Sequence, residues 1–175
     1  MTNFLPKNYE APKQSSNYFK FEEGPNKFRI VSEAIVGWEY WTNDNKPIRL
    51  KENPREIPKD IRADSAIKHF WAFTVLDRKD GTAKILEITQ STIQRALQAL
   101  IEDQDWGDPS SYDITITRTG KGLETTYTVQ PSPQKPLTKE EQSVVARTEI
   151  DLNALFKGES PFEKQDEVVI DSIPF

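Results

Sequence analysis

Apolar residues recur along this chain at two different spacings, and the change from one to the other marks out its elements. Lys27-Phe28-Arg29-Ile30-Val31 alternates as a half-buried strand does, and Ile35 to Trp41 continues it past a bend near Glu33-Ala34 or Gly37. The turn signal Glu23-Gly24-Pro25-Asn26 precedes it. Lys68 to Asp77 (KHFWAFTVLD) is aromatic and β-branched, Asp80-Gly81 predicts a hairpin, and Ala83 to Ile88 is the returning strand. From Thr89 to Asp103 the period becomes helical, with Ile93, Leu97, Leu100 and Ile101 on one face and Ser91 or Thr89 placed to cap the start. Trp106-Gly107-Asp108-Pro109 stops the helix. Alternation resumes over Tyr112 to Arg118, turns at Gly120-Lys121-Gly122 and pairs back over Leu123 to Val129.

The remaining stretches set the boundaries. Residues 1–17 are polar, contain Pro6 and Pro12 and read as a flexible N-terminal arm. Thr42 to Ile67 is rich in Pro, Asn and charge, and a structureless loop of that length is uncommon unless it serves a function. The element order predicts an all-β fold with one helix: a five-stranded OB-type β-barrel over residues 18–130. In that architecture the helix lies between strands three and four, and ligands use the face of strands two and three with the flanking loops. A plain α+β sheet fits the same string less specifically. Residues 131–159 read as a Pro-containing linker with weak helical segments, one opened by Thr138-Lys139-Glu140-Glu141 and another over Ile150 to Phe156. Residues 160–175 are expected to be a disordered acidic tail.

Composition narrows the chemistry. Charged residues make up 29% and mean hydropathy is -0.70, which fits a soluble protein, expected in the cytoplasm. No apolar run is long enough for a membrane span, and Met1 to Pro6 lacks a signal-peptide layout. With no Cys and a single His69, thiolate chemistry and His-paired metal motifs are excluded; a metal could bind only through carboxylates, and no cofactor is expected. The net charge of -5 argues at first against a nucleic-acid partner. It is unevenly spread: residues 1–100 carry 16 Lys and Arg against 13 Asp and Glu, and residues 101–175 carry 7 against 15.

Two sets of side chains then point to single-stranded nucleic acid. Trp38, Tyr40, Trp41, His69, Phe70, Trp71 and Phe73 supply aromatic surfaces on which bases stack. Trp71, Phe73 and Val75 form an alternating set suited to the barrel interior, so stacking is expected on Trp38 and Tyr40, with Phe70 and Trp41 behind them. Phosphate contacts are expected from Arg49, Lys51, Arg55, Arg62 and Lys68 in or beside the long loop, and from Arg118 and Lys121 at the second hairpin. Glu52, Glu56, Asp60 and Asp64 offset part of that charge.

The chain ends Asp171-Ser172-Ile173-Pro174-Phe175, which resembles the acidic tip of bacterial single-stranded DNA-binding proteins. That resemblance implies that Asp171, Ile173, Pro174 and Phe175 dock on replication, recombination or repair proteins. It departs from the pattern in having one acid beside the tip. The runs YFKFEEGPNKFRIVS, GWEYW, KHFWAFTV and WGDPSSYDITITRTGKGLE resemble phage-encoded OB-fold single-stranded DNA-binding proteins. No catalytic residue is expected: His69 has no evident nucleophile or orienting acid, and Asp103/Asp105 and Glu22/Glu23 suit solvated loops. A protein-interaction adaptor and a metal-dependent nuclease are the alternatives.

Overall fold

The structure, a computed structural model, describes Phe4 and residues 17–162. It is mostly antiparallel β: β1 (Gly24–Ile30), β2 (Ile35–Trp41), β3 (Pro47–Leu50), β4 (Lys68–Asp77), β5 (Ala83–Ile88), β6 (Asp113–Thr119) and β7 (Thr126–Pro131), with helices α1 (Ser91–Glu102) and α2 (Lys139–Arg147). The sheet runs β3-β2-β4-β1-β6-β7, and β5 pairs with the other edge of β4. Along its first edge β4 pairs first with β2, Ile35 opposite Ala72, and then with β1, Ile30 opposite Val75. The predicted first strand is therefore β1 and β2 joined by a bend. There the Val31 amide donates to Thr74 O at 2.9 Å, and the Thr74 amide donates to Ser32 Oγ at 2.8 Å.

Three expectations need correction. The stretch from Thr42 to Ile67 is not structureless, because Pro47–Leu50 folds back on β2 as β3 and Thr42 bridges Ile61. Neither Ser91 nor Thr89 caps α1; Gln90 holds that position and makes no side-chain cap. Ile101 is 44% exposed, although the helical period assigns it to the buried face.

Alternation explains the main core. Phe28 and Ile30, Phe73 and Val75, Leu86 and Ile88, and Ile114 and Ile116 point to one side of their strands and bury together beneath Ile93 and Leu97 of α1. Among the described residues no ladder joins β5 to β7. The 17–21 segment lies against both instead: Tyr18 bridges Ile85 in parallel, and the Phe21 ring packs 5.6 Å from that of Tyr127.

The opposite face of β4 carries a second cluster. The segment expected as a linker contains α2, whose Thr138 Oγ1 accepts from the Glu141 amide, and a 3-10 turn, Leu152–Lys157, closed by Gly158 with φ 69°. Leu155 from that turn is buried with Phe70, Ala72 and Ile85, and Phe156, Ile150 and Phe162 pack around them. At Gly37 a Cβ would collide with the Leu50 carbonyl oxygen and crowd the Phe156 ring. Glycine is what lets β3 and the covering segment approach β2.

Ion pairs tie this cover to the sheet. Arg29, 1% exposed, donates through Nε to Asp113 at 2.8 Å; Arg78 donates to Asp113 and also to Glu141 of α2. Removing one member of a buried pair leaves the other charge without compensation. Asp113→Ala should cost about 3–5 kcal/mol in urea unfolding. A loss under about 1 kcal/mol would mean that the Ser110 carbonyl, which also accepts from Arg29, suffices.

Candidate nucleic-acid interface

Strand β2 presents aromatic rings on both of its faces because Trp38 and Trp41 are an odd number of residues apart. Trp38 is half-exposed, opposes His69 across the ladder, and its ring lies 4.9 Å from the imidazole. His69 Nδ1 donates to the Gly37 carbonyl at 2.8 Å, which fixes the orientation of the exposed imidazole. On the other face Trp41 is 38% exposed, and the Arg62 guanidinium lies 5.9 Å from its ring centroid. Arg62 is held there by its own amide donating to Trp41 O and by Nη1 donating to Asn45 Oδ1, with Asp64 paired at Nε. A guanidinium over an indole leaves one aromatic face and one cation adjacent, the two groups a nucleotide uses.

Three expected contact residues lie elsewhere. Tyr40 is 7% exposed and donates through its hydroxyl to Asp60 at 3.1 Å. Burial, then the Asp60 hydrogen bond, pushes its phenol above the usual tyrosine range. Phe70 is fully buried beneath Leu155 and Phe156, so its ring is not open for stacking. Arg49 is spent inside the protein, donating to Glu87 at 2.8 and 3.3 Å and lying 3.6 Å from Glu39.

The remaining cations are more accessible. Lys51, Arg55, Lys68 and Lys121 are exposed, and Lys51 Nζ sits 5.5 Å from the Phe156 ring centroid. Arg118 is half-buried: Nη1 donates to Phe21 O, and its buried Nε has no partner among the described residues. The tip residues Asp171, Ile173, Pro174 and Phe175 lie outside the described residues. Among the described residues no group of three or more His, Asp or Glu converges as a metal-ligand set, and no helix is long and apolar enough to cross a membrane.

Sequence reasoning did not single out Val36. Trp71 keeps its place in the alternating set with Phe73 and packs, partly buried, against the main core, with the 52%-exposed Val36 opposite it across the ladder. A Val in a strand gives no signal of exposure.

The Glu39–Arg49–Glu87 group sets the electrostatics of the covered face. Burial, followed by a hydrogen bond with Glu87, pushes the Glu39 carboxyl up to about 8. Burial works against ionised Glu87, but the Glu39 hydrogen bond and the Arg49 guanidinium hold it below the usual range. Between the ordinary glutamate value of 4.5 and about 8, the folded protein keeps a Glu39 proton that the unfolded chain has released. Stability therefore falls as pH rises through that window and levels off above it. Glu39→Gln should remove this fall and be more stable than the parent at about pH 9 in urea melts. Parallel pH profiles for the two proteins would show that Glu39 is ionised throughout.

No family model matches the chain. No solved structure matches it either. The chain is similar to a probable ssDNA-binding protein of Escherichia phage T5, with 27% identity over 139 residues covering 65% of this chain and 54% of that protein. The chain thus spans about half the length of the curated relative it matches.

Proposed function

We propose that the protein binds single-stranded DNA without strong sequence preference and without catalysing a reaction, using an OB-type barrel, in replication, recombination or repair. The observation that carries this reading is the pair of half-open aromatic sites on β2, Trp38 with His69 and Trp41 with Arg62, at the root of a segment bearing exposed Lys51, Arg55 and Lys68. Bases stack on the rings and phosphates meet the cations, a combination tolerant of sequence because every base has a π-face. The ladder order supports the barrel: one bent strand serves both β4 and β6, with α1 between the β4–β5 and β6–β7 hairpins. Similarity to the T5 protein points the same way. The C-terminal tip, Asp171 to Phe175, recruits partner proteins through an apolar anchor and a terminal carboxylate, with Pro174 limiting the conformational freedom lost on docking.

Tryptophan quenching on titration with poly(dT) tests the reading. Trp38→Ala should weaken binding by about 1–3 kcal/mol with an unchanged melt. Neutralising Lys51, Arg55, Lys68 and Lys121 together should reduce the slope of log affinity against log salt by about 0.7 for each phosphate that no longer meets a cation. An unchanged slope would remove these cations from the interface. Deleting Phe175 should abolish capture of replication or repair partners while DNA affinity stays constant; weaker DNA binding would make the tip part of the DNA site.

A further inference from the structure

Between the β1–β2 bend and the end of α1 lies an open cleft of about 390 Å³. Trp71, Phe73, Val36 and Ile101 form its apolar walls, and Glu33 and Asp108 stand among its polar lining. Val36 and Ile101 are 52% and 44% exposed, so a flat apolar ligand entering here gains from covering them. Ile101 comes out of the buried helix face at this point, where α1 reaches the edge of the core.

The cleft continues the stacking strip. Val36 opposes Trp71 one rung from Trp38 and His69, on the same face of the same two strands. Rungs on one face repeat at about 7 Å, a step that one extended nucleotide can span. The next base of a strand stacked on Trp38 is thereby brought to the cleft.

The polar lining selects what enters. Asp108 Oδ1 accepts from the Ser110 amide at 2.9 Å and from Ser110 Oγ at 2.8 Å, and the Asp108 carboxyl is held below its usual range by those two bonds. Among the described residues its other oxygen and the Glu33 carboxylate have no hydrogen-bond partner. Carboxylates repel phosphate and accept from N–H groups. Guanine presents two adjacent donors, N1–H and the exocyclic amine; cytosine and adenine present an exocyclic amine. Thymine presents one N–H between two carbonyls, which would face the carboxylate unfavourably.

We propose that this cleft takes one nucleobase of the bound strand, guanine best and thymine worst, with the ring against Trp71 and the donor edge toward Asp108 and Glu33. The proposal rests on the single-stranded DNA reading and adds one read position to an otherwise sequence-tolerant site.

Equilibrium titration of the full chain with an oligothymidylate about twelve nucleotides long, and with the same oligonucleotide carrying one central guanine, tests it. The guanine should tighten binding about tenfold. In Glu33→Gln/Asp108→Asn the two affinities should come within about twofold of each other, with the fold checked by melting. Glu33→Gln alone, at an exposed position, should reduce the ratio to about threefold, which keeps the test valid if the Asp108 change disturbs the Ser110 turn. Equal parent affinities for two oligonucleotides that both bind would overturn the cleft assignment alone. So would a preference that survives in the double variant. If neither oligonucleotide binds, the DNA reading fails and the cleft with it.

Discussion

One strand has to satisfy two partners, and the hydrogen bonds that let it do so govern the rest of the molecule. Residues 24–41 pair with β6 over their first half and with β4 over their second, so the chain must turn between Ile30 and Ile35 without leaving β4 unsatisfied. Ser32 Oγ takes the Thr74 amide that a continuous ladder would have bonded, and Val31 returns a bond to Thr74 O. Because of that bend β2 departs from the main core. Among the described residues its Trp38 is left half-exposed and its Val36 52% exposed.

The strands other than β3, helix α1 and the β4–β5 and β6–β7 hairpins were legible because each is short-range: alternation, a helical period, an Asp-Gly turn. What sequence could not show was which face of a strand would be covered, since that depends on residues far away in the chain. Tyr40 and Phe70 carry the same aromatic signal as Trp38, but Asp60 and the loop close over the first, and Leu155 and Phe156 over the second. Arg49 looked like one more loop cation; its partners Glu39 and Glu87 sit on other strands. The strand β3 escaped notice because four residues beginning with Pro47, amid charged neighbours, carry almost no periodicity. Ile101 had the right spacing for burial, but α1 reaches the edge of the core there and leaves it uncovered.

The face of β4 and β5 bearing Phe70, Ala72 and Ile85 is the one over which the 150–162 segment packs. The open aromatic groups therefore lie to either side of that cover, Trp41 with Arg62 on the same sheet face and Trp38 with His69 on the reverse. The Arg29–Asp113–Arg78–Glu141 chain of ion pairs connects the cover's preceding helix to the sheet.

The outer strands of the sheet path, β3 and β7, begin with Pro47 and end with Pro131 respectively, and β5 is bordered by the parallel bridge from Tyr18. Proline offers no backbone N–H to an incoming strand, and a bordered strand offers little unpaired backbone. At Pro47, Pro131 and the Tyr18 bridge the addition of a further strand is therefore disfavoured.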